Sequence, residues 1–157
     1  MLPRLLLTLA LVSTQPILAQ TVAPTIHTAA EFQQLEAKLI DSAKKNPKGV
    51  GLAPIDDWGT YNTLLVVRVH TGEAEQHQLW ADQMVVDKGT VTLVTGGTIL
   101  ESHPVPNQAG EIRGSSIQGG KEVILHAGDI AHIPANLPHW VKVAPGTTTT
   151  YLVFKEK

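Results

Sequence analysis

Two hydrophobic periodicities divide the chain. In "TAAEFQQLEAKLIDSAKKNP", residues 28–47, Phe32, Leu35, Leu39 and Ile40 recur at the 3.6-residue period of one helical face. Thr28 and Glu31 have the spacing of a capping box. Lys44 and Lys45 suit the C-terminal end, and Asn46-Pro47 stops the helix. These signals predict one amphipathic helix over about 29–45, whose expected role is to cover part of the domain.

Beyond it the pattern changes. "KGVGLAPIDDWG" reads as a linker arm rich in Gly and Pro. "YNTLLVVRV" reads as a strand, and "QMVVDKGTVTLVTGGTIL" as three strands turning at Lys88-Gly89 and Gly96-Gly97. "EVILHAGDIAHIPANLPHWVKV" adds three more strands, and "TTTTYLVFK" closes the chain. Between them, residues 102–120 read as a long loop with Gly and Pro throughout. Arg113 lies in that loop. It reads first as a solvated arginine, and alternatively as a guanidinium folding over a cavity mouth to meet an anionic group. Many short, evenly spaced strands indicate an all-β sandwich or barrel.

Length and composition narrow this. A chain of 157 residues suits one domain. "MLPRLLLTLALVSTQPILAQ" has an early Arg4, an apolar run from Leu5 to Val12 and small residues afterwards. It predicts a signal peptide over residues 1–19, cleaved near Ala19 or Ala23, and hence a secreted or periplasmic protein. The apolar run is shorter than the roughly 20 residues that span a bilayer, so no membrane partner is expected after cleavage. The formal net charge is −2, with no basic stripe and no aromatic–basic interleaving, which argues against nucleic acid. There is no cysteine, so any metal must be held by His, Asp or Glu. The expected organisation is a signal peptide at 1–19, helix and arm at 20–57, and a barrel at 58–157.

Candidate chemistry gathers around "EQHQLWAD". Glu75 and His77 are two apart and share a strand face. Asp82 lies an odd step further on and joins them only across a bend. His139 could meet His77 if their strands are neighbours. His70, His126 and His132 read as surface or packing residues, and Trp80 and Trp140 as packing on the outside of the barrel. Arg68 shares a strand face with His70, and the sequence does not assign that face. No phosphate loop, nucleophile elbow or dinucleotide fingerprint is present.

Two spacings resemble those of the cupins, small jelly-roll β-barrels. Glu75-x-His77, four residues, Asp82, six residues, Gly89 is similar to the family's first motif. Gly128, five residues, Pro134-x-Asn136, two residues, His139 is similar to its second. The resemblance covers about the last two thirds of the chain and implies a single cupin jelly-roll β-barrel preceded by one short N-terminal α-helix. It also implies one divalent metal (Fe, Mn or Zn) held by Glu75, His77, Asp82 and His139. The departures lie at the ligands: Glu75 stands at a histidine position and Asp82 at a glutamate position, with Asn136 in place of Gly and Val143 in place of Asn. Two carboxylates beside two histidines make sense around a cation, because without one they would have to share protons. The expected function is an exported metal-dependent cupin acting on a small organic molecule, as oxygenase, isomerase or lyase. The alternative is a metal-free module binding a small molecule or sugar without catalysis. Barrels of this family often pair, so a homodimer is a further expectation.

Overall fold

The computed structural model describes residues 23–157; the expected signal peptide lies outside them. The helix α1 spans Ala29–Lys45, and Thr28 and Glu31 form the reciprocal capping box expected from their spacing. Thirteen strands follow: β1 Val50–Asp57, β2 Tyr61–Arg68, β3 Ala74–His77, β4 Ala81–Lys88, β5 Thr90–Thr95, β6 Thr98–Leu100, β7 His103–Pro104, β8 Glu111–Gly114, β9 Ser116–Gln118, β10 Lys121–His126, β11 Ile130–Ile133, β12 His139–Lys142 and β13 Thr149–Glu156. They form a five-stranded sheet β1-β2-β13-β4-β11, a six-stranded sheet β10-β5-β12-β3-β8-β7, and the small pair β6-β9.

The two large sheets enclose the main core. Val66, Met84, Val86, Tyr151 and Val153 come from one sheet, and Val91, Leu93, Leu125, Val141 and the following Val143 from the other side. A second cluster lies on the outer face of the five-stranded sheet, where Leu39 and Ala43 of α1 meet Leu65 and Val67 of β2. That explains why "TLLVVR" loses its alternation: β2 is covered on both faces, and such strands read as continuous apolar runs. The helix is also tied down by a polar clamp. Glu36 accepts from Thr150 Oγ1 at 2.8 Å and pairs with Lys88.

Two stretches expected to be irregular are strands. Residues 50–57 form β1, the edge of the five-stranded sheet, paired along β2 with a bulge between Pro54 and Asp56. An edge strand tolerates Pro54, and Gly51 lets the strand pass against the helix. The 102–120 segment holds β7, β8 and β9. Its Gly and Pro mark corners between short strands: Asn107 and Gly110 both take positive φ (62° and 78°) just before β8. Asn136, at a glycine position of the second motif, takes φ 66°, as its side chain allows.

A Cβ at Gly51 would sit 2.2 Å from the Leu39 carbonyl oxygen, which is backbone and has little freedom to yield. Gly51→Ala should therefore cost about 1–3 kcal/mol of unfolding free energy, read from urea denaturation midpoints. An unchanged midpoint would mean that α1 does not dock on β1.

Candidate functional site

The site is made where one sheet hands the chain to the other. β3 ends at His77, a corner at residues 78–80 crosses the sandwich, and β4 begins at Ala81 in the facing sheet. This crossing absorbs the odd step, so Asp82 faces His77 from the opposite wall, with Oδ2 3.3 Å from His77 Nε2. In the six-stranded sheet, β3 is flanked by β12 and β8. His139 lies opposite Glu75 on one side, Arg113 opposite Glu75 on the other, and Glu111 opposite His77. The His77 and His139 rings lie 5.1 Å apart between centroids. Glu75, His77 and His139 each offer a ligand atom within 4.8 Å of the others.

Both imidazoles are oriented from behind. His77 Nδ1–H donates to Glu111 Oε2 at 2.6 Å, and His139 Nδ1–H donates to the Leu137 carbonyl at 3.1 Å. These partners hold the rings and leave each Nε2 as the ring atom whose lone pair a cation could take. The His77 Nε2 lies 3.6 Å from Glu75 Oε2. Burial pushes His139 below its ordinary pKa and keeps it neutral. Burial acts the same way on His77, but hydrogen bonds to Asp82 and Glu111 overcome it and raise that pKa.

Charge balance departs from the sequence expectation. Three carboxylates converge here, and the chain supplies three cations of its own. Arg68 NH2 binds Glu75 Oε1 at 2.8 Å, Lys155 Nζ binds Asp82 Oδ1 at 2.5 Å, and Arg113 NH1 binds Glu111 Oε2 at 3.1 Å. Desolvation would raise Glu75, yet Arg113 and Arg68 hold it down to about 2. Asp82 is likewise penalised by burial and held to about 2 by His77 and Lys155. The crowding of carboxylates is thus answered by side chains, without requiring a metal or a shared proton.

The groups line a cavity of about 650 Å³ between the sheets. Arg113 is no solvated loop residue: it sits on β8, lines this cavity and is 21% exposed. Trp80 also lines the cavity instead of packing on the barrel's outside, and Lys157 covers its ring at 4.5 Å. Trp140 does sit away from the site, its Nε1 donating to the Gly72 carbonyl. His70, His126 and His132 are exposed. Arg68 faces inward, its Nε donating to the Tyr151 hydroxyl at 2.8 Å.

Sequence reasoning missed Glu111, Lys155 and Tyr151. Their signal was period two: Glu111 and Arg113 share one face of "EIRG", and Tyr151, Val153 and Lys155 share one face of "YLVFK".

No protein-family model matches the chain. No curated protein matches it in sequence. Solved structures do match in fold. An oxalate oxidase aligns with a TM-score of 0.51 at 15% identity, over 71% of this chain and 53% of that one. The cupin domain of Schizosaccharomyces pombe Cnp3 aligns with a TM-score of 0.50 at 7% identity, over 71% of this chain and 63% of that one. The chain therefore spans about half the length of the oxalate oxidase. These likenesses establish the cupin jelly-roll fold.

Glu75 and Asp82 titrate near 2 when folded and near ~4 when unfolded. Their contribution to stability is present above the unfolded values and is lost as the pH falls through about 2, on the order of 3 kcal/mol each. EDTA-treated protein should thus show urea midpoints that fall steeply across this window. Asp82→Asn should flatten the fall, and an unchanged slope would show that Asp82 is not the titrating group.

Proposed function

We propose that this chain binds one divalent cation on Glu75, His77 and His139 and acts on a small organic molecule held in the same cavity. The observation that supports the reading is the rear anchoring of both imidazoles, at Glu111 and at the Leu137 carbonyl. It leaves His77 Nε2 3.6 Å from the Glu75 carboxylate and a ligand atom of His139 within 4.8 Å of both, and such rear anchoring is common among metal-ligating histidines. Two imidazoles and a carboxylate suit Fe(II), with Mn(II) and Zn(II) also compatible. Asp82 is a fourth candidate ligand, and its Oδ2 is free of the Lys155 contact made by Oδ1.

A bound cation would polarise a substrate oxygen. The chain's own residues would do the rest. Arg68 fixes the Glu75 carboxylate, Glu111 holds the His77 ring, and Trp80 at the cavity wall limits water. The fold of this chain is compatible with oxidase, isomerase and lyase chemistry and does not choose between them. With the export segment read over residues 1–19, the proposal is for a protein working in a periplasm or outside the cell. N-terminal sequencing of the exported protein should then begin at Gln20 or Pro24.

A second reading, a metal-free binding module, is favoured by the three cations that already balance the three carboxylates. Elemental analysis of untagged protein, purified without chelators and reconstituted with Fe(II), Mn(II) or Zn(II), separates the two. The expected result is near-stoichiometric metal that is lost in His139→Ala. Glu111→Gln should weaken metal affinity about 10–100-fold. Metal-free protein after reconstitution would overturn the cation site in favour of the second reading.

A further inference from the structure

The cavity has two unlike walls. One carries the charged cluster. The other is apolar and open: β1 is an edge strand, and its inward residues Val50 and Leu52 line the cavity beside Leu64 and Val66 of β2. Leu52 is 53% exposed although it lies on the inner face of the sheet, paired in register with the buried Val66. Leu52 thus extends the partly buried row of Val50 and Leu64 into open cavity, a surface shaped for an apolar guest.

The charged wall offers a single cation with spare capacity. Arg68 and Lys155 are committed by contacts of 2.8 and 2.5 Å and are nearly inaccessible. Lys48, at the rim, is paired with Glu73. Arg113 is different. Its NH1 binds Glu111 and the Ile112 carbonyl, but its NH2 stands 3.5 Å from Glu75 Oε2, at the outer limit of hydrogen bonding. That nitrogen can serve a second carboxylate. The three anions and three cations of the chain cancel, so any cation bound at Glu75, His77 and His139 would leave an excess of positive charge, which again favours an anionic guest. About 650 Å³ is far more room than a two-carbon acid needs.

We propose that the cavity takes a monocarboxylic acid with an extended apolar body, the carboxylate on Arg113 and the body along Val50, Leu52 and Leu64. This rests on the reading of the cavity as the functional site, and it does not depend on the cation. Calorimetric titration with butanoate, hexanoate, octanoate and the matching 1-alkanols tests it on the whole protein, with metal and after EDTA. Each added CH₂ should tighten binding about three- to fourfold, and octanoate should bind at least ~10-fold tighter than octanol. Leu52→Ser, at an exposed position, should flatten the chain-length series and keep the preference for acid. Arg113→Gln should do the reverse, and Arg113→Lys should retain part of that preference. Equal affinity for acid and alcohol, a flat series, tighter binding of succinate than of octanoate, or no binding would each overturn the proposal. An intact series in metal-free His139→Ala would uphold it even if the cation site failed, whereas stoichiometric metal with a flat series would sink this proposal alone.

Discussion

The Glu75 carboxylate, half-buried between two β-sheets, is the constraint on which the site depends. An ionised carboxylate taken out of water is costly unless it is paired and hydrogen-bonded. Here the counter-charge comes from two arginines, with a neutral imidazole set beside the carboxylate. Arg68 reaches across from β2, Arg113 lies beside it on β8, and His139 faces it from β12. Arg68 in turn needs Tyr151 of β13 to take its Nε–H. One charge thus ties its own strand β3 to four others from both sheets, and the register of β3 against β8 and β12 is what brings them within reach.

The same register explains what the sequence could reveal. The capping box, the helical face and most strands were legible because each depends on residues close together in the chain. Glu75 and His77 were legible as a pair because strand periodicity puts them on one face. The 50–57 and 102–120 stretches were misread because Gly and Pro signal a corner or an edge as readily as a loop. Their pairing is decided by partners far away, β2 for one and β3 for the other. The period-two signal at Lys155 and Glu111 gives a face but no partner, for a related reason. Nothing local links Lys155 to Asp82, 73 positions earlier, or Glu111 to His77, 34 positions earlier.

Arg113 shows how the reading of one residue turns on its element. On a floppy insertion a guanidinium faces water. On β8 it is two residues from Glu111 and opposite Glu75, so two carboxylates hold it in the cavity. Its partial engagement separates it from Arg68 and Lys155, which serve the fold by neutralising buried charge. Arg113 is anchored to Glu111 through NH1, while its NH2, 3.5 Å from Glu75, keeps capacity for a further partner.

The departures from the cupin motif are coupled to these arginines. A histidine at position 75 would bring no charge and would need no counter-ion. Glutamate there brings a negative charge that Arg68 and Arg113 offset, holding its pKa at about 2. The same two arginines oppose any divalent cation that approaches Glu75, since like charges in a low-dielectric cavity repel strongly. Metal affinity at this site is therefore a contest. On one side stand two imidazoles anchored from behind by Glu111 and the Leu137 carbonyl, and on the other Arg68, bound to the Glu75 carboxylate, and Arg113, 3.5 Å from it. The proposed anionic guest would tilt that contest toward a metal. By engaging Arg113 it would weaken the hold on Glu75 and free carboxylate density for a cation. Cation and acid should then bind with positive coupling, each raising the affinity for the other by the same factor.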